Sequence, residues 1–159
     1  MNALIRGPES NPKWASYTSG CFVCGTDNPS GMRLTFRLEG DKYVSEFTVA
    51  KAYQGFPGIM HGGVISTVLD EIMGRFLWVK GYVTYTAEMT VKFRRPIMCG
   101  TKIRVEGEIL EVKGRRFYTA GRILSEDGAV MAEATGCFVS KRDRPALDLA
   151  AQDSTEEAV

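Results

Sequence analysis

The sequence predicts a two-layer α+β domain, one long helix packed against an antiparallel sheet. Two observations carry that prediction. Apolar residues recur with a helical period between 64 and 79, and the nearly sixty residues that follow read as strand broken only by short turns. A third observation bounds it: 159 residues suffice for one domain with its own core and are few for two.

Taken in chain order, residues 1 to 20 are mixed and polar with Pro8 and Pro12, and read as an N-terminal arm. The domain is expected over 21 to 141. "CGTDNPSGM" (24 to 32) is dense in turn formers and reads as a loop. Two short strands are expected next, "RLTFRL" (33 to 38) and, after the turn signal "EGDK", "YVSEFTV" (43 to 49). Then the period changes. Val64, Ile65, Val68, Leu69, Ile72, Met73, Phe76 and Leu77 form the stripe of an amphipathic helix, about 25 Å long at ~1.5 Å per residue, with Gly81 as its stop. Strands follow at 82 to 94, 101 to 112, 115 to 125 and 129 to 140, punctuated by "RPIMCG", "KGR" and "EDG". The apolar set changes face between Gly107 and Leu110, which predicts a bulge there. Residues 142 to 159 read as a charged, mobile tail.

Composition excludes several classes. A net charge of +1 provides no field for nucleic acid or an anionic membrane, and no apolar run reaches the ~18 residues of a membrane span. The first residues lack a long apolar run, so a cytoplasmic protein is expected. Cys21, Cys24, Cys99 and Cys137 are then read as reduced thiols. Cys21-x-x-Cys24 is half of a tetrahedral zinc site; Cys99 and Cys137 are distant in sequence, so no metal is expected unless two chains share four thiolates across a dyad.

The helix carries two features that packing does not explain. Opposite the apolar stripe lie Ser66, Thr67, Asp70 and Gly74, small residues around one carboxylate, where a solvated face would more often carry Lys, Glu or Arg. Glu71, four residues before Arg75, reads as half of a surface ion pair. At the N-terminus stands His61, the one histidine of the chain, followed by Gly62 and Gly63. Unsatisfied N–H groups and a partial positive charge gather at such an end. With glycine there, a ligand carbonyl can approach; equally, the glycines can serve a tight loop with a structural histidine. Gly63 and Asp70 are seven residues, ~10 Å, apart along the axis. If both act on one reacting carbon, the carboxylate must come from a second subunit.

These residues, "GIMHGGVISTVLDE", resemble the hotdog-fold acyl-CoA thioesterases of the phenylacetyl-CoA-thioesterase-like type, in which His-Gly-Gly is followed after six residues by an acid. Asp70 fits that spacing. The resemblance extends over 21 to 140, through "CFVCGTDNPSGMRLTF" and the strand "TAEMTVKFRRP". It implies a long helix wrapped by a curved antiparallel sheet, and homodimers, able to pair into tetramers, with sites between subunits. It further implies that Asp70 serves as general base or nucleophile and that Gly63, with Gly62, polarises the thioester carbonyl through backbone N–H. His61 would orient that loop, Thr86 would position the attacking water, and Gln54, one residue out of the family's register, stands where an upstream amide is found. Coenzyme A phosphates need cations, for which Arg95 and Arg116 are the candidates. No cofactor beyond the substrate's own CoA is implied. A serine triad is disfavoured, since no G-x-S-x-G is present. Two other readings remain on the same scaffold: a non-catalytic acyl-CoA sensor, and a hydratase or dehydratase, whose Phe-Pro-Gly loop would require histidine where Gly55 stands.

Overall fold

The structure, a computed structural model, describes residues 18–140. The expected arm lies outside the described residues but for Thr18, Ser19 and Gly20, and the expected tail lies wholly outside them.

Among the described residues six strands form one antiparallel sheet: β1 (Arg37–Glu39), β2 (Lys42–Thr48), β3 (Thr84–Phe93), β4 (Lys102–Lys113), β5 (Arg116–Ser125) and β6 (Val130–Ser140), in the spatial order β1-β2-β4-β5-β6-β3. The one α-helix among the described residues, α1 (Gly62–Val79), lies in the chain between β2 and β3 and packs on β4, β5, β6 and β3. The curved sheet wrapping one helix is the hotdog arrangement.

α1 forms because its apolar stripe and both ends agree. Ile65, Val68, Leu69, Ile72, Met73, Phe76 and Leu77 are buried, each contributing roughly 1.5–3 kcal/mol against exposure. Gly81, with φ of 92°, ends the helix: its N–H donates to Trp78 O and that of Tyr82 to Leu77 O, the paired bonds of a Schellman motif. β5, β6 and the first half of β4 alternate buried and more exposed positions, as one-sided strands should. The expected bulge in β4 falls at Leu110, which the pairing with β5 skips between Ile109 and Glu111.

One expected element is displaced. The strand read at 33 to 38 is a strand only over Arg37–Glu39. Arg33 has a positive φ of 55°, and Met32 and Leu34 hydrogen-bond instead to the carbonyls of Phe22 and Val23. The alternation there serves core packing of an irregular segment: Met32 and Leu34 are buried, and Phe36 stacks on Tyr43 at 5.5 Å.

At the β1 edge Arg104 contacts three carboxylates, Glu39, Glu46 and Glu106, at 2.5, 3.1 and 2.8 Å. Its hydrogen bonds hold Glu39 and Glu46 below the ordinary carboxylate value of 4.5. Burial acts to raise Glu106, but its bonds to Lys42 and Arg104 more than offset that, so it too is lowered. Depressed folded-state values mean stability that is complete above about pH 4.5 and lost as pH falls below it. Arg104→Met should therefore be less stable than wild type at pH 7, with the gap narrowing below pH 4.5. Urea melts at pH 7 and pH 3.5 check this; a gap independent of pH would show that Arg104 acts through packing alone.

Candidate active site

Asp70 lies in the middle of α1 on the face turned toward β3. Its position follows from helix geometry, since it flanks the buried Leu69 and lies one turn before the half-buried Gly74. β3 supplies its partner. The pairing of β3 with β6 skips Ala87 between Thr86 and Glu88, and a bulge re-aims the side chains beside it. Thr86 Oγ1 donates to Asp70 Oδ1 at 2.7 Å. Asp70 Oδ2 has no hydrogen-bond partner among the described residues. One carboxylate oxygen is thus oriented by a hydroxyl and the other remains available to accept a proton.

This pair stands on a cleft of about 340 Å³, within the range of small-molecule sites. Trp78, Tyr82, Val83 and Phe138 supply much of its apolar lining. Gly74 also lines it; a Cβ there would stand 3.1 Å from the Phe138 ring, so the small residue in α1 makes room for that wall.

The other end of α1 is built around His61. The ring is the helix N-cap: Gly63 N–H donates to His61 Nδ1 at 2.8 Å. In the neutral ring the proton then sits on Nε2. A Cβ on Gly55 would lie 3.0 Å from His61 Cδ2 and one on Gly63 3.0 Å from Nδ1, so glycine at both places lets the imidazole fold over the helix end. The helix end is therefore not bare as its sequence suggested; a histidine side chain reaches the N–H two residues on, as a capping aspartate would. Gly62 N–H has no partner among the described residues. Ser66 and Thr67 donate back to the carbonyls of Gly62 and Gly63 at 3.0 and 2.8 Å, which satisfies two of the small polar residues within the helix itself. Gln54 Oε1 accepts from Gly58 N–H at 3.2 Å, bracing the loop that leads to His61.

The two cationic candidates are far apart. Arg95 N–H bonds Met131 O at the start of β6, while Arg116 pairs with Val139 at its end. Eight residues of strand separate them by about 27 Å. Arg95 lies toward the His61 end, where the Phe93 ring stands close to Gly62, and Arg116 toward the Thr86 end, where Thr86 and Phe117 both pair with Phe138. The neighbouring Arg94 is held by Glu133.

The sequence reading missed the far wall of the cleft. Glu71 and Arg75 are half-buried rather than a solvated pair, with Cys21 and Cys24 packed over them. Cys21 Sγ lies 3.7 and 3.8 Å from the two Glu71 oxygens, and Arg75 Nη1 donates to Cys24 Sγ at 3.2 Å. Burial, and then the Glu71 carboxylate, push the free Cys24 thiol well above its ordinary range, which is the wrong direction for a nucleophilic thiolate. The only sequence signal was the pair of cysteines three residues apart; nothing local pointed to Glu71.

Residues 57–132 match the sequence profile of the family described as Thioesterase superfamily. Among curated proteins the chain is similar to the acyl-coenzyme A thioesterase THEM4 of Bos taurus, 29% identical over 121 residues that make up 74% of this chain and 50% of the relative. It spans about two-fifths to half the length of the THEM4 proteins it matches. Among solved structures, a thioesterase superfamily protein superposes with a TM-score of 0.72 at 29% identity, covering 77% of this chain and 61% of the other. A Streptococcus mutans protein bound to acetyl CoA shares the fold with a TM-score of 0.65 at 17% identity, covering 70% and 90%. The resemblance to hotdog thioesterases therefore holds in both sequence and architecture.

Proposed function

We propose that this hotdog-fold chain, similar in sequence and architecture to thioesterase-superfamily proteins, is an acyl-CoA thioesterase whose active sites are shared between two subunits. The observation that carries the reading is Asp70, its carboxylate oriented by Thr86 at 2.7 Å on the rim of an apolar cleft. Thioester hydrolysis needs an activated water or a carboxylate nucleophile, and a place for negative charge on the carbonyl oxygen. Asp70 Oδ2 supplies the first. Gly62 N–H supplies the second, joined by Gly63 N–H when the incoming carbonyl displaces His61 Nδ1. Thr86, its proton given to Asp70, keeps lone pairs that can hold the attacking water.

α1 is unbroken between Gly63 and Asp70, so about 10 Å of helix separates the two groups, whereas reacting atoms must approach to about 3–3.5 Å. A second subunit resolves this. β3 is an edge strand whose ladder partner among the described residues is β6, and its Tyr85 and Phe93 are 60% and 56% exposed. An unpaired edge of this length is a template for another strand. Two-fold pairing of β3 with its copy reverses the strand direction, bringing the Asp70 end of one subunit to the His61 end of the other. The same operation brings Arg116 of one subunit and Arg95 of the other to one side of the interface, where CoA phosphates could meet both.

Mixing two inactive proteins tests the shared site. Asp70→Asn and Gly63→Val would each be inactive alone. Unfolded and refolded together in equal amounts, they should recover about a quarter of wild-type turnover, because half the dimers are mixed and each mixed dimer retains one intact site of two. Recovery no greater than either parent would place each site within one chain. An absence of turnover by wild type on aryl, short, medium and long acyl-CoAs, with tight binding retained, would leave the sensor reading instead.

A further inference from the structure

We propose that Cys21, Cys24 and Glu71 form a zinc site that ties the segment before the sheet to the middle of α1, with its fourth coordination position open to the cleft. The proposal stands apart from the thioesterase reading.

The two sulfurs and a Glu71 oxygen lie within 4.8 Å of one another. Zn–S and Zn–O bonds of about 2.3 and 2.0 Å in a tetrahedron set a sulfur-to-oxygen edge of about 3.5 Å. The Cys21-to-Glu71 separation of 3.7 Å is within a few tenths of that edge. Cys24 converges on the same carboxylate, so that two sulfurs and one oxygen share a centre.

Both sulfurs also accept hydrogen bonds. Val23 N–H points to Cys21 Sγ at 3.4 Å, and Arg75 Nη1 to Cys24 Sγ at 3.2 Å. Such outer contacts orient metal ligands. With both thiol protons displaced by the metal, two thiolates, one carboxylate and one guanidinium sum to a charge of −2, which one divalent cation neutralises. The backbone holds the turn without help from a metal: Gly25 N–H donates to Cys21 O at 2.9 Å, and Cys21 N–H to Thr18 O at 3.0 Å. A Cβ on Gly25 would fall 2.3 Å from Ser19 O and 2.5 Å from Cys21 N, so the turn closes only on glycine. Two preplaced sulfur ligands with one carboxylate favour zinc over calcium or magnesium, which take oxygen ligands. Cys21, Cys24, Glu71 and Arg75 all line the cleft, which leaves the fourth position to solvent or a cleft ligand.

The test uses the full chain, reduced and stripped of metal, titrated with Co²⁺ and then Zn²⁺. The expected result is a single cobalt per chain, with thiolate charge-transfer absorption and the visible bands of tetrahedral coordination, bleached by an equivalent of zinc. Cys21→Ser with Cys24→Ser should abolish the charge-transfer band, and Cys99→Ser with Cys137→Ser should leave it intact. Glu71→Gln, which alters no cysteine and keeps the helix, should retain the band and weaken affinity by at least about tenfold. A wild-type chain without the band, a band that survives in the Cys21/Cys24 variant, affinity unchanged in Glu71→Gln, or the two thiols recovered as a disulfide would each overturn the proposal.

Discussion

Asp70→Asn should lower thioester turnover by at least about 10²-fold, close to 3 kcal/mol of transition-state stabilisation, while leaving the fold and oligomeric state unchanged. The substitution keeps the shape and the Thr86 hydrogen bond but removes the negative charge and the capacity to take a proton. Thr86→Val separates orientation from proton transfer. Losing one hydrogen bond to a carboxylate costs about 1.5–3 kcal/mol, so a drop of roughly 10- to 100-fold is expected. CoA release measured with the protein's own thiols subtracted, beside circular dichroism and gel filtration, reads both variants. An Asp70→Asn enzyme within threefold of wild type would remove the carboxylate from the chemistry.

Gly107→Val should strongly destabilise the packing of α1 on the sheet. A Cβ on Gly107 would stand 2.9 Å from Ile72 O and 3.1 Å from Ile72 Cγ1. Gly107 pairs with Gly121, where a Cβ would meet Ile72 Cγ2 at 3.2 Å and Leu69 Cδ2 at 3.3 Å. This glycine pair in neighbouring strands lets the centre of α1 rest directly on the sheet. The nearest obstacle is helix backbone, which cannot swing aside as a side-chain tip can. Overpacking there should cost about 3 kcal/mol, lowering the melting temperature by roughly 10 °C. Because Asp70 lies two residues before Ile72, the helix residue that would be pushed, turnover should fall with stability. Gly20→Ala, with open space around it, should stay within ~0.5 kcal/mol of wild type. Coincident thermal melts of Gly107→Val and wild type would show that the helix does not depend on this contact.

Much of this molecule was legible in its residue order. The stripe from Val64 to Leu77 and the Gly81 stop predicted α1 almost to its ends, because a helix is specified by residues three and four apart in one segment. The four later strands and the bulge at Leu110 were legible for the same reason, their period of two being written locally. The spacing of Asp70 from Gly63 already showed that the two cannot reach one reacting carbon from within a single chain, since the rise of a helix is the same in every protein. Packing settled what depends on distant segments meeting. The alternation at 33 to 38 looked like a strand, yet its apolar side chains enter the core from irregular backbone. The imidazole over Gly63 N–H depends on Gly55, in a loop closed by contacts with Ile97 and Met98. Arg95 and Arg116 looked equivalent until strand register put them at opposite ends of β6. Glu71 looked like a surface charge until the loop at Cys21 and Cys24 covered it. Such side-chain meetings are set by how a helix, a sheet and a loop lie on one another across fifty residues of chain, and no local period encodes that.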